Sequence, residues 1–269
     1  SDRPRRHPQC SCYAVREPIG TLCQDMEPNM AKPDLEASPR VYARIGGALY
    51  LIIIVLGLFA EAGVRDKLVV SNDATATARN IMASPLLWRS GIAGELFMLT
   101  CAVALTLIFY VLLKPVSKHL ALLAAFFNLV SIAIQATYEL NLLAGSFPLG
   151  DAAYLKVFEP SQLHAMAYLT IKSHGYGYGI ALIFFGCECI VLGYLILRSG
   201  FFPRILGLLM QIAGVCYLVN SFALILSPTL ADMLFPAILI PAFIGEASFC
   251  VWLLLKGVDV PKWEARAGL

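Results

Sequence analysis

Carboxylates set inside long apolar runs are the residues of this chain best placed to do chemistry. Glu61, Glu95, Glu139, Glu188 and Glu246 each interrupt such a run. A charged group at the depth of a bilayer is costly, and it persists where it faces a bundle interior, a wet cavity or a partner. There it can hold a cation, pass a proton or anchor a polar solute. His174 sits near the end of one run, and Arg89 is the strong cation expected close to that level. Gln135, Tyr178 and Asn220 add neutral donors and acceptors at comparable depth. The candidate polar cavity is therefore Glu61, Arg89, Glu95, Gln135, Glu139, His174, Tyr178, Asn220 and Glu246. The competing reading is structural: the same residues pair with one another and staple the helices.

Other chemistries find less support. Zinc catalysis takes three protein ligands, and no two of the four histidines (His7, His119, His164, His174) have helical ligand spacing. His174 and Glu188 are fourteen residues apart, hence about 21 Å along one helix, too far for a dyad. No catalytic, metal or cofactor residues are expected on this basis. The run Gly175-Tyr-Gly-Tyr-Gly179 invites comparison with a potassium-channel filter. Lys172-Ser-His precedes it in place of Thr-Val, however, and an apolar span follows at once. Its small residues suit close helix approach, and Tyr176 and Tyr178 suit an aromatic belt at a membrane interface. As a nucleotide motif it fails, because no strand leads into it. Cys101, Cys187, Cys189, Cys216 and Cys250 lie in apolar runs and act as small hydrophobes. Cys10, Cys12 and Cys23 are in a polar stretch near His7, without a recognisable metal spacing.

The elements that must position these groups are membrane spans. Of 269 residues, 59% are hydrophobic and 14% charged, with a mean hydropathy of +0.74. Soluble domains carry about a quarter charged residues, so the composition is that of a membrane protein. A net charge of +2 gives no reason to expect nucleic acid as a partner; the lipid bilayer is the expected one, with a small polar ligand or cation besides. Six apolar spans are predicted, over residues 41–64, 87–113, 119–147, 173–204, 205–226 and 233–255. Between the first two, Ser71-Asn-Asp73 offers caps for a short interfacial helix over 74–83. Lys114-Pro-Val-Ser-Lys118 forces a hairpin, since proline is expensive inside a helix. A helical turn or two at Pro160 would lie at the interface. Spans two and three should then be antiparallel neighbours, with Glu95 and Glu139 at one depth, on the order of 12 Å below the outer edge.

Residues 1–40 are polar and without period and read as a disordered tail; Met30 offers an alternative start, and whether residues 1–29 belong to the native protein is left open. The transmembrane domain covers 41–256, and a short soluble tail covers 257–269. With the N-terminus inside, inner segments hold Arg40, Arg44, Lys114, Lys118, Arg198, Arg204 and Lys256 among ten basic residues, against six outside. Both termini are therefore expected in the cytoplasm.

Four stretches together carry a family resemblance: A-R-I-G-G-A-L-Y-L-I-I-I-V-L-G at 43–57, L-L-K-P-V-S-K-H-L-A-L-L-A-A at 112–125, H-G-Y-G-Y-G-I-A-L-I-F-F-G at 174–186, and G-Y-L-I-L-R-S-G-F-F-P-R-I-L-G at 193–207. They resemble a family of bacterial multi-pass membrane proteins known as domain of unknown function 4386. The resemblance implies an all-α, six-span bundle in the plasma (bacterial inner) membrane and brings no established activity. Three functions stay open on the sequence. One is a small-solute or ion carrier, or a ligand-binding sensor, with an outer-half polar cavity. Another is a non-catalytic membrane organiser whose buried polar residues fix packing, and the third is an intramembrane enzyme. Oligomeric state is left open.

Overall fold

The computed structural model describes residues 38–268, all helix and connecting turns with no strand among the described residues. The expected tail lies almost entirely outside that range. Pro39 opens α1 (Pro39–Leu58), where its missing N–H costs nothing. The helix does not stop at Val64 as predicted. A π-helical turn, Phe59–Arg65, and a last turn, α2 (Asp66–Leu68), extend the span to 30 residues. Asp73 accepts a hydrogen bond from the Ala76 amide at 2.8 Å and so caps α3 (Ala74–Ala83), as the sequence suggests. Next, α4 (Pro85–Leu113) and α5 (Lys118–Ala144) form the hairpin around Pro115, with Ser117 capping the second helix.

The largest departure from expectation is α6 (Pro160–Ser199). Pro160 does not begin a separate interfacial turn; it starts one unbroken 40-residue helix. A capping box between Glu159 and Gln162 fixes its start, and Gly200, at φ +77°, ends it in the left-handed region that glycine tolerates best. At about 1.5 Å per residue the helix is roughly 60 Å long, twice a bilayer's hydrocarbon core. Then come α7 (Arg204–Leu226), α8 (Pro228–Leu234) and α9 (Leu239–Leu255). The stretch predicted as a sixth span is not continuous: α8 and α9 meet at a 56° bend, so the bundle has five helices long and apolar enough to cross a membrane and one bent helix pair. Pro236, within a stretch predicted as one helix, lies in the break between α8 and α9, while Pro241 is tolerated in the first turn of α9.

Residues 257–269 were expected as a soluble tail, but α10 (Val260–Ala267) docks against the bundle. Trp263 is buried and donates from Nε1 to the Leu112 carbonyl at 2.8 Å. That carbonyl lies in the last turn of α4, where no intrahelical donor remains. Around it, Phe109, Phe202 and Phe249 pack ring to ring, with Phe249 centred 5.5 Å from each of the other two. A smaller apolar cluster of Val64, Ile81, Trp88, Ile92, Leu142 and Ile171 closes the opposite, α3 end of the bundle.

The outer faces are apolar. Val55, Phe97, Leu107, Phe126, Val215 and Val251 are all at least half exposed. A water-soluble surface does not carry such a continuous apolar belt, whereas a bilayer solvates it. Inside a membrane, lipid is as apolar as leucine, so helices associate through close packing and polar contacts. Glycines supply that packing between α6 and α7. A Cβ on Gly193 would stand 2.6 Å from the Gly207 carbonyl oxygen, and one on Gly207 2.6 Å from that of Gly193. Gly186 and Gly214 repeat the arrangement one heptad away, at 2.9 and 2.6 Å.

Candidate functional site

Two polar centres occupy the interior. The first lies at the α3 end. Arg65, on the π turn, donates from Nε to Glu61 Oε2 at 2.8 Å and from Nη1 to Glu95 Oε2 at 2.6 Å. Glu95 comes from α4, Glu139 from α5 and His174 from α6. His174 Nε2 stands 3.2 Å from Glu139 Oε1, and Glu139 Oε2 is buried without a hydrogen-bond partner. One potential ligand atom from each of Glu95, Glu139 and His174 lies within 4.8 Å of the other two. All three residues are only 5–6% exposed. With the imidazole neutral, three carboxylates and one guanidinium leave this cluster at a formal charge of −2. A space of about 250 Å³ at the surface is lined by Glu61 and Arg65 of this cluster together with Ser71, Tyr168 and Lys172.

The second centre is a chamber of about 220 Å³ further into the bundle. Every long element contributes to its wall: Ile54 from α1, Leu99 from α4, Ile132 from α5, Leu182 from α6, Tyr217 from α7 and Glu246 from α9. Glu246 accepts hydrogen bonds from the Tyr50 hydroxyl at 3.0 Å and from the Tyr217 hydroxyl, which hold its carboxylate in place. Gln135 and Asn128 are the amides in the wall, the latter donating to Thr106 Oγ1 at 2.9 Å. Leu58, Tyr178 and Phe243 also line the chamber and are themselves exposed on the flank, so its mouth is apolar.

The nine residues named from the sequence thus do not form one cavity. Glu61, Glu95, Glu139 and His174 meet at the first centre, and Gln135, Tyr178 and Glu246 line the second. Asn220 is half-buried and makes no hydrogen bond among the described residues. Arg89 is exposed and pairs with nothing among them; Arg65 takes the role expected of it. Arg65 lies just past Val64, where hydropathy ends the predicted span, and only the π turn carries the helix on to it. The sequence also shows no metal-ligand spacing, since the three residues of the possible ligand set sit on three helices. Glu188 is buried beside a hollow the size of about one water, with its Oε2 unpartnered. In the G-Y-G-Y-G run, Gly177 receives the Tyr138 ring and Gly179 the Leu224 side chain, while Gly175 faces open space. Close backbone approach happens at Gly186 and Gly193 instead.

An all-α bundle of five helices long and apolar enough to span a bilayer and one bent pair, apolar outside and polar at two interior centres, defines a polytopic membrane protein. The chain belongs to the family described as Domain of unknown function (DUF4386), which it matches over residues 45–257. It is 28% identical over 166 residues to an uncharacterized protein of Archaeoglobus fulgidus, covering 62% of this chain and 83% of that protein. No solved structure matches it.

Proposed function

We propose that this protein binds a small solute inside the membrane, in the chamber beside Glu246, and serves as a carrier or sensor for it. One observation carries the reading: all six span-forming segments converge on a single space of about 220 Å³ that holds an oriented carboxylate. Largely apolar walls with a few converging polar groups are the usual make-up of a small-molecule site. A 150 Å³ cavity holds benzene, so this one has room for roughly nine non-hydrogen atoms. No cationic side chain lines the chamber, and Glu246 is left to be neutralised by a proton or by the ligand. A small, mostly apolar molecule with one amino or hydroxyl group fits both the mouth and the floor. A position in the plasma membrane with both termini cytoplasmic is part of this proposal, supported by the distribution of basic residues.

The test is a thermal-shift screen of small amines and alcohols on purified protein in nanodiscs. Hits should stabilise the wild type and lose at least tenfold in affinity in Glu246→Gln and in Ala102→Leu, which fills the chamber. Uptake of a hit into proteoliposomes would mark a carrier, and binding without uptake a sensor. If the screen finds nothing, or if hits ignore both substitutions, the chamber only fixes packing and the organiser reading stands.

A further inference from the structure

We propose that Glu95, Glu139 and His174 form a binding site for a divalent first-row metal ion, independent of the chamber. The three residues are separated in sequence yet present ligand atoms within 4.8 Å of one another. Bonds to a bound zinc ion are about 2.0–2.2 Å for carboxylate oxygen and imidazole nitrogen. Ligand atoms around such an ion lie about 3.4–4.2 Å apart, so small shifts of the three side chains bring them to that spacing.

A second observation points to the same ion. Glu139 is 6% exposed, its Oε1 faces His174, and its Oε2 has no partner. A buried carboxylate oxygen without a donor is costly in an apolar medium, and a cation between it and Glu95 removes that cost. Charge supplies the valence. The cluster Glu61, Arg65, Glu95, Glu139 stands at −2 with His174 neutral, and one divalent ion brings it to zero. Arg65 also holds Glu95 by one oxygen, leaving the other for the ion, the kind of outer contact that orients ligands in metal sites.

The donor set selects the metal class. Two carboxylates and one imidazole suit zinc, manganese or ferrous iron; magnesium and calcium prefer all-oxygen sites, and cuprous ion prefers thiolates. Glu61 is exposed and lines a surface space together with Arg65, the residue that holds Glu95.

The experiment uses the full chain in nanodiscs, stripped with chelator and equilibrated with Zn²⁺ or Mn²⁺ alone. Metal analysis and calorimetry should find one ion per chain, with a rise in thermal midpoint. Glu139→Gln and His174→Ala should each weaken binding by at least 10-fold, as even outer-shell changes do at known sites. Glu246→Gln should leave the metal untouched, which separates this site from the chamber. Cobalt-loaded wild type should show a visible absorption band of a low-coordinate nitrogen–oxygen site, a readout that needs no variant to fold. Folded wild type that takes up no ion at millimolar metal overturns the proposal, as does binding that is indifferent to Glu139→Gln.

Discussion

Arg65 donates to Glu61 and Glu95 at once, and its side chain is only 16% exposed. Removing one partner of a buried ion pair strands the other's charge, which costs far more than the pair is worth relative to apolar residues. Arg65→Ala should therefore destabilise the protein by about 3 kcal/mol, and adding Glu95→Gln should restore much of it. Arg89→Ala, on an exposed side chain without a partner, should stay within about 0.5 kcal/mol. Thermal midpoints in one detergent at one protein concentration make the comparison. Equal losses at the two arginines would mean that the Arg65 network is no more than a surface feature.

At the scale of elements, glycines decide how closely α6 and α7 can approach. Gly193 and Gly207 face each other's carbonyl oxygens, and backbone there cannot give way as a flexible side chain would. Gly193→Leu should cost about 3 kcal/mol or more through overpacking, and Gly207→Leu likewise. Gly175, with nothing within 4 Å of a Cβ, should accept alanine with a gain of roughly 0.5–1 kcal/mol, because alanine loses less backbone entropy in a helix. Unfolding midpoints of these variants give the ranking directly. A neutral Gly193→Leu would show that the two helices can separate without loss.

For the whole molecule, the basic turns at 114–118 and 198–204 lie at the α10 end, and α3 lies at the other. Single cysteines introduced at 117, 200 and 73 in a background without exposed thiols test the orientation. In intact cells a membrane-impermeant reagent should reach position 73 and not 117 or 200. Labelling of 117 and 200 with 73 protected would invert the protein.

The all-helical class, the run of spans, the hairpin at Pro115 and the cap at Asp73 follow from the sequence by itself. Each rests on local physics: a stretch of apolar residues long enough to cross a bilayer, a proline without a donor, a side chain that satisfies the first free amides. The equal depth of Glu95 and Glu139 is also legible, because a short hairpin sets two helices in register. What the sequence could not decide is how each span is rotated about its axis. These helices are apolar almost all the way round, so no amphipathic stripe says which face turns inward. Rotation divided seven of the nine candidate residues between two centres, left Arg89 and Asn220 out of both, and aimed Glu139 and His174 at each other. The π turn brought in Arg65 from beyond the hydropathy limit, and the docked α10 turned an expected tail into part of the core. Those outcomes depend on contacts between residues far apart in the chain, and only the tertiary structure contains them.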